Sequence, residues 1–435
     1  MPADSKITTR SYLRLLRCNR NLRRLWLAQI ISENGDWFYM VALYAMLLEF
    51  TGSAEALGLA FVLQVVPQAL TGPMAGVIND RMSRKRVMIA SDLARFGIVG
   101  LMLLVRSPRM VWLVWPLLFA ETVMWGLFEP ARTAVIPRIV KEDELLVANT
   151  IASTTWSLNL FVGAALGGIV AVWLGRDAVI ALDALSFLAS VALISGMRFD
   201  EPHMDTAPRF RWRDLVDHSP LLEALEYVRA QPRLASLIFV KAGLGIAGSS
   251  WVIFPVLGRS VFPVYRAGST AEQAGVLGMS LLMGARGLGS VLGPALGAPW
   301  AQQRQNRLRG GIVAGFLLYG AGYVALASIQ SAPLAYVVVI LSHMGGAMVW
   351  VFSATLLQMI TDDRYRGRVF SAELAFCTVM LGASAYAAGA FMDRGVGVRT
   401  VLLITGILTA LAGVWWAAIG LRAEPFPPNG GANPR

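Results

Sequence analysis

The sequence predicts an all-α integral membrane protein with twelve transmembrane helices in two pseudo-symmetric halves of six helices each. The first reason is composition, since 56% of the 435 residues are hydrophobic and 15% are charged. Soluble proteins average about 45–50% and about 25% respectively. The second reason is the spacing of the apolar runs, and the third is a similarity between the two halves of the chain. Lipid is therefore the expected solvent for most of the surface.

Twelve apolar stretches are each long enough to cross a bilayer core, which is about 30 Å thick and needs about 20 apolar residues per helix. We place them at residues 24–50, 56–78, 87–105, 110–131, 148–173, 178–197, 236–258, 275–299, 310–328, 333–360, 370–392 and 398–421. No cleavable signal peptide is expected, because the first apolar run is too long and follows a basic arm.

The longest polar stretch divides these spans six and six. The predicted organisation is a basic arm (1–23), an N-terminal half (24–197), a linker (198–235), a C-terminal half (236–421) and a tail (422–435). Within the linker, Ser219 and Pro220 are typical of a helix start. Leu221, Leu225 and Val228 then share one face, which predicts a short amphipathic helix on the membrane surface.

The basic residues predict the orientation of the chain. With the N-terminus placed inside, 28 of the 38 Lys and Arg residues lie on that side and 7 on the other. This bias predicts a multi-pass protein of the bacterial inner membrane with both termini in the cytoplasm. It also explains the net charge of +11 without nucleic acid, because the cations are spread over seven segments and form no single groove.

The two halves resemble each other at an offset of 221 residues. The glycines and proline of residues 72–76 recur as Gly293, Pro294 and Gly297, and residues 163–168 align with residues 384–389. Both matches fall at the corresponding helix of each half, which indicates duplication. Transporters with two such halves bind their substrates near the bilayer midplane.

The loop after the second span contains a motif. A basic stop-transfer loop explains the cations at residues 84–86, but it does not explain an acid four residues after a glycine. The loop resembles the signature G-x-L-x-D-R-x-G-R-R/K of the major facilitator superfamily, although serine replaces the second glycine. The matching positions are Gly76, Asp80, Arg81, Arg84 and Lys85. The resemblance implies that Asp80 belongs to a charge relay that latches the outward-facing state.

The fifth span carries Gly163, Gly167 and Gly168 in a pattern that resembles the antiporter motif of the same family, with Ala164 in place of its proline. Close packing by small residues is the alternative interpretation. The fourth span lacks the basic residue that is usual there in the family, and the charged residue at its middle is Glu121. The usual drug–proton antiport scheme therefore does not transfer directly.

Several stretches resemble one branch of the family, which includes macrolide efflux proteins and the enterobactin exporter. They are residues 19–38, 130–149, 183–187, 221–232 and 364–371. The resemblance implies export driven by ion exchange, with the proton gradient as the energy source. No GxxxxGK[ST] phosphate loop occurs. Neither a catalytic constellation nor metal-ligand spacing is present, so we expect no enzyme activity, cofactor or metal.

Three acids inside the spans are candidates for proton or cation coupling: Glu33, Asp36 and Glu121. Charges at mid-bilayer are costly and usually face a cavity or a partner. Glu33 and Asp36 are three residues apart and share a helix face, so their joint ionisation is disfavoured. The alternative is that they only form hydrogen bonds to neighbouring helices. Asp92 and Arg95 are expected to pair with each other within the third span, and Asp183 is expected to have a structural role.

A substrate cavity is expected between the halves. Its candidate residues are mid-span aromatic, polar and flexible side chains, namely Trp37, Trp125, Asn159, Trp251, Arg286, His343, Met344 and Trp350. Glu121 and Arg286 lie at comparable depth, so a pair across the cavity is one hypothesis and a static ion pair within the protein is another. A hydrogen-bonded packing role is the alternative for His343, and lipid-facing packing is the alternative for each Trp.

The predicted function is secondary active transport, as proton-coupled efflux of an amphipathic drug, macrolide-like compound or siderophore by alternating access. One alternative is a carrier of lysophospholipid between leaflets, which the resemblance to a related branch suggests. Another is a membrane scaffold or sensor that transports nothing. The expected partners are a small-molecule substrate and membrane lipids, and the expected oligomeric state is a monomer.

Overall fold

The computed structural model describes residues 9–202, 204, 232–302, 304–361 and 363–420. The amphipathic helix predicted in the linker and the tail after residue 421 lie outside the described residues. Helices form most of the rest. They are α1 (Thr9–Cys18), α2 (Arg20–Thr51), α3 (Ala54–Arg81), α4 (Arg84–Met102), α5 (Val114–Ile139), α6 (Leu145–Leu174), α7 (Arg176–Ser195), α8 (Pro232–Gly245), α9 (Ser250–Ser260), α10 (Ala271–Ala301), α11 (Gln305–Leu326), α12 (Ala332–Ile360), α13 (Asp363–Asp393) and α14 (Val398–Gly420).

The twelve predicted spans coincide with α2 to α14, where α8 and α9 together form the seventh span through a short 3₁₀ turn at Ile246–Ser249. The helices begin at polar residues just before the apolar runs. The side chains of Asn19, Ser53 and Thr270 accept hydrogen bonds from backbone N–H groups in the first turns of α2, α3 and α10. Such caps satisfy donors that would otherwise lack a partner.

Two of the twelve spans are unusually polar. In the described part of the chain, ten helical segments are long and apolar enough to cross a membrane, and α2 and α4 are not among them. Helix α2 carries Glu33 and Asp36, and α4 carries Asp92 and Arg95. Because charged residues in hydrocarbon are costly, these two helices need partners inside the protein.

The two halves meet along two antiparallel helix pairs, α3 with α13 and α6 with α10. Glycines allow close approach in both pairs. A Cβ on Gly58 would lie 2.7 Å from the Cα of Tyr386, and a Cβ on Gly287 would lie 2.6 Å from the Cα of Phe161. Both distances are too short for a side chain, so the backbones pack directly against each other.

We call the end of the bundle with the loops at 82–83, 140–144 and 302–304 the basic end, and the other end the opposite end. At the opposite end, the Asp393 carboxylate of α13 caps α3 across the halves. It accepts hydrogen bonds from Ser53 Oγ at 2.5 Å, from the backbone N–H of Ala54 at 2.8 Å and from that of Glu55 at 3.0 Å. A carboxylate at a helix N-terminus is stabilised by the helix dipole and by charge-assisted hydrogen bonds.

The same helix pair separates toward the basic end. A Cβ on Gly72 or Gly76 of α3 would have no atom within 4 Å, and Leu70 is 64% exposed. The contacts between the halves described above all lie between the midplane and the opposite end. In the part of the chain that the structure describes, the halves are therefore sealed at the opposite end and apart toward the basic end, and we call this state open toward the basic end.

We expect that Asp393→Asn weakens this seal, because the substitution removes the charge at the N-terminus of α3. A loss of about 1 kcal/mol corresponds to an approximately fivefold larger population open at the opposite end. The measurement is the rate at which a maleimide labels Ser280→Cys, placed in a background where both native cysteines are serine. Ser280 is 1% exposed and packs against Gly168 of the other half.

The matched control is Asp177→Asn. This acid also lies at the opposite end, but its ion pairs are with Arg106 and Arg176 of its own half. An unchanged labelling rate in Asp393→Asn, or an equal increase in Asp177→Asn, would contradict the role of Asp393 in the seal.

Candidate functional site

The N-terminal half encloses a charge cluster around Arg95 of α4. Arg95 Nη2 donates to Asp36 Oδ1 of α2 at 2.6 Å and lies 3.7 Å from Glu121 Oε1 of α5. Arg95 Nη1 lies 3.8 Å from Asp92 Oδ1. The guanidinium also lies 4.0 Å from the ring centre of Phe187 on α7. One arginine therefore ties four helices together.

The cluster contains more acids than bases. Asp183 of α7 completes it, because its carboxyl group interacts electrostatically with Asp36, Glu121 and Arg95. Asp92 and Asp183 are fully buried. We call these four acids and Arg95 the Arg95 cluster. Four negative charges cannot remain beside one cation in a low-dielectric interior, so the cluster favours retaining protons on some of its carboxyl groups.

A second polar network surrounds Glu33 on the side nearer the basic end. The Glu33 carboxylate accepts hydrogen bonds from Asn159 Nδ2 and Gln29 Nε2, both at 2.8 Å. Gln29 Oε1 accepts from Arg132 Nη1 at 3.1 Å, and Arg132 forms a double hydrogen bond with Glu129. This network joins α2, α5 and α6, and it places Asn159 in a buried bond across helices.

Two expectations about the charges need correction. Glu33 and Asp36 do not form one carboxylate pair, because Asp36 points to Arg95 of α4 while Glu33 points to Asn159 of α6. Glu121 does not pair with Arg286, since its ion pair is with Arg95 of its own half. Each of the three acids forms its contact with a partner in the N-terminal half.

Aromatic rings from both halves form a stack at the midplane. Trp251 of α9 stacks on Phe61 of α3, with ring centres 5.0 Å apart, and on Trp37 of α2 at 6.0 Å. Trp156 of α6 contacts Trp37 edge-on at 6.4 Å. We call these four rings the aromatic stack. The guanidinium of Arg286 lies 3.6 Å from the ring centre of Trp251, so the structure unites Trp37, Trp251 and Arg286 at one place.

Trp125 and Trp350 have no ring contact with this stack among the described residues. The backbone of Met344 packs against Gly293 of α10. Trp350 is 40% exposed and lies 4.4 Å from Lys241 Nζ. Lys241 in turn forms a buried ion pair with Glu373 at 2.8 Å.

His343 is a packing residue in the C-terminal half and does not line an open path in this structure. It is 4% exposed. Its ring nitrogens lie 3.4 Å from the hydroxyl of Tyr319 and 3.1 Å from that of Tyr323, both on α11. The hydrogen-bonded packing alternative describes this position in the present state, and a role for His343 in a substrate cavity stays a prediction.

The loop motif anchors the start of α4. Arg84 Nη1 donates to the Ala134 carbonyl of α5 at 3.0 Å. Lys85 Nζ donates to the carbonyls of Ser195 and Met197, at the end of α7, at 2.9 and 2.7 Å. Lys85 thereby satisfies carbonyls at the C-terminus of α7, where intrahelical donors are lacking, while Arg84 ties the start of α4 to the side of α5.

Among the described residues, the acid of the motif forms no hydrogen bond or ion pair with the other half in this state. Asp80 is exposed at the end of α3, on the side where Gly76 has open space. Arg81 forms an interaction of its own. The arrangement leaves the Asp80 carboxylate available to a partner that approaches when the basic end closes.

The small residues of the packing motifs face neighbouring helices. Gly163 and Gly167 lie against α2, Gly168 lies against α10, and Gly293 and Gly297 lie against α12. Pro294 lies inside α10. Close approach of helices explains these glycines in this state, and Gly168 is the one that contacts the other half.

Sequence reasoning did not assign Arg95, Asp92, Asp183, Phe61 or Asp393 to the site. For the first three, the available signal is a charge inside an apolar span. Nothing in the sequence distinguishes Phe61 among the 19 phenylalanines. Asp393 lies at a span end, where charged residues are ordinary.

The chain resembles known transporters along its length. The family model of the Major Facilitator Superfamily matches residues 25–372. An MFS-type transporter of Mycobacterium tuberculosis is 26% identical over 97% of both chains. Macrolide efflux protein A of Streptococcus pyogenes is 32% identical over 39% of this chain and 42% of its own length.

Solved structures show the same fold. The nucleoside transporter NupG superposes with a TM-score of 0.73 at 10% identity, over 92% of this chain and 99% of its own. A bacterial homolog of the human lysosomal transporter Spinster, in an inward-facing conformation, gives 0.69 at 15% identity, over 97% and 100%. The family-model match covers most of the chain, and the helical architecture agrees with it. This chain belongs to the Major Facilitator Superfamily and is a multi-pass membrane transporter.

Proposed function

We propose that this transporter is a proton-coupled exporter of an amphipathic small molecule, of the drug, macrolide-like or siderophore type. It works by alternating access in the bacterial inner membrane, with the basic end in the cytoplasm. The observation that carries the proposal is the Arg95 cluster, in which four acids surround one arginine. The cluster lies in the N-terminal half, which supplies three of the four rings of the aromatic stack.

The Arg95 cluster offers a physical route from protonation to movement. The Asp36 side chain is 26% exposed and that of Glu121 is 12% exposed, whereas those of Asp92 and Asp183 are buried. Among the four acids of the cluster, Asp36 is therefore the most accessible from the open end. In an antiport cycle the proton binds while the opposite end is open and leaves from here toward the cytoplasm. Neutralising Asp36 weakens its 2.6 Å bond to Arg95, and the guanidinium then shifts toward the remaining acids. This exchange loosens the ion pair that links α2 to α4.

Two features support export of an amphipathic substrate. The aromatic stack presents apolar rings from both halves at the midplane, where transporters with two such halves bind their substrates. The partial similarity to macrolide efflux protein A favours efflux as the direction. An orientation with the basic end inside follows from the bias of basic residues, and it makes the present state open to the cytoplasm.

Alternating access requires the seal to move from one end to the other. In the present state, Asp393 holds the opposite end and Asp80 is exposed at the basic end. Closing the basic end would bring α13 of the other half toward the end of α3. We assign Asp80 to the contact that then forms, in agreement with the role that the loop motif implies.

We expect that Asp36→Asn separates coupling from substrate movement. The amide keeps a polar group beside Arg95 but cannot exchange a proton. In proteoliposomes, exchange of labelled erythromycin down its own gradient should persist, while accumulation driven by a pH gradient should disappear. Proton movement is followed with entrapped pyranine. Glu33→Gln and Glu121→Gln test the other two acids in the same assay.

The control for this experiment is Asp143→Asn, the same chemical change at an exposed position of the basic-end loop. Gradient-driven accumulation in Asp36→Asn equal to that of the wild type would overturn coupling through Asp36. Movement of a fluorescent lysophospholipid by the wild type, unaffected by collapse of the pH gradient, would favour the lipid-carrier alternative.

We expect that Asp80→Asn leaves expression and thermal stability intact but slows export, because the state closed at the basic end loses a charge-assisted contact. Such contacts contribute about 1.5–3 kcal/mol, so the rate should fall about tenfold or more. The assay is erythromycin export from vesicles, again beside Asp143→Asn. Turnover at the wild-type rate in Asp80→Asn vesicles would exclude the latch role.

A further inference from the structure

The structure contains two mid-membrane arginines with opposite surroundings. Arg95 has ion pairs with three carboxylates. Arg286 of α10 has none among the described residues, and its recorded contacts are the Trp251 ring at 3.6 Å and Ser250 Oγ at 3.5 Å. A charged side chain at this depth without a counter-ion is costly, which marks it as a candidate for binding a charge from outside the protein.

The groups around Arg286 are neutral. The phenol groups of Tyr44, Tyr319 and Tyr323 are its electrostatic neighbours. Tyr44 donates its hydroxyl hydrogen to Gln64 Oε1 at 2.9 Å, so that hydrogen is not available elsewhere. A guanidinium carries five N–H donors in a planar fork, and Ser250 engages one of them at long range. Most of the hydrogen-bonding capacity of Arg286 is therefore unused.

Arg286 also lies where the halves meet. The next residue, Gly287, packs against Phe161 of α6. The indole under the guanidinium, Trp251, stacks on Phe61 and Trp37 of the N-terminal half. Arg286 therefore lies beside a cluster of aromatic rings that both halves supply.

We propose that Arg286 binds an oxyanion of the transported substrate, such as a carboxylate, while a planar apolar part of the same molecule packs on the aromatic stack. Arginine pairs with oxyanions through two parallel hydrogen bonds. The inference rests on the proposed function, since the ligand is taken to be the cargo. It predicts that, among amphipathic substrates, those with a planar apolar part and an oxyanion bind most tightly.

The acids of the Arg95 cluster complement this assignment. They belong to the N-terminal half and are fastened to Arg95, so they do not neutralise Arg286. One half thus carries groups suited to protons, and the other carries a cation suited to an anionic substrate.

The test compares two matched probes that differ only in charge, pyrenebutyrate and its neutral amide, pyrenebutyramide. Binding to the purified full-length protein in detergent is followed by energy transfer from tryptophan to pyrene. The wild type should bind the carboxylate about tenfold more tightly than the amide, which corresponds to about 1.4 kcal/mol. Arg286→Gln should bring the two affinities together without weakening the amide, and Arg286→Lys should keep part of the preference.

Arg106→Gln is the control, because Arg106 is exposed at the opposite end with a 71% accessible side chain. Equal affinities of the wild type for the two probes would overturn the proposal, and this comparison does not depend on the folding of any variant. Retention of the full preference in Arg286→Gln would overturn it as well. A purely structural Arg286 would leave the ratio of the two affinities unchanged.

The experiment is independent of coupling because binding is measured without a gradient. Loss of gradient-driven transport with an intact charge preference would count against the proposed function alone. Intact coupling without any charge preference would count against the role of Arg286 alone.

Discussion

The ion pair between Arg95 and Asp36 is the interaction on which the N-terminal half depends. Helices α2 and α4 are the two spans that are too polar to cross a membrane by composition alone, and this pair satisfies the charges of one with those of the other. Burying one charge without its partner costs several kcal/mol. Helix α2 packs against α6 and α7, and α4 packs against α5 and α7, so the ion pair is the link that joins α2 to α4 directly. The same constraint concentrates titratable groups at one place, next to the aromatic stack.

The sequence predicts ten of the twelve spans well because length and apolarity decide them, and α2 and α4 are the two more polar exceptions. It also predicts Trp37, Trp251 and Arg286 as neighbours of the cavity, and the structure brings them together. It leaves the partners of Glu121 and His343 open between alternatives. The sequence indicates how deep a residue lies in the membrane, but it does not indicate toward which neighbouring helix the side chain points. Glu121 meets Arg95, and His343 meets two tyrosines, through helix rotations that no linear pattern specifies.

The two halves have diverged in chemistry while keeping a common frame. Gly293 and Gly297 pack closely against α12, whereas Gly72 and Gly76 at the corresponding place in the N-terminal half face open space. In the C-terminal half, Lys241 is matched by Glu373, whereas no ion pair with Arg286 occurs among the described residues and its electrostatic neighbours are tyrosines. A duplicated scaffold has thus become acid-rich on one side and has an unmatched cation on the other. The acids proposed to bind the coupling proton and the arginine proposed to bind the substrate therefore belong to different halves.

The seal formed by Asp393 has a further consequence. Helices α3 and α13 run antiparallel, so the C-terminal end of each faces the N-terminal end of the other. One carboxylate, Asp393, holds the N-terminal end of α3, and Asp80 lies at the other end of the same pair. Rocking between the two states then exchanges one carboxylate–helix contact for a similar one. The end states would differ little in free energy, and a modest ion gradient would be enough to set the direction of the cycle.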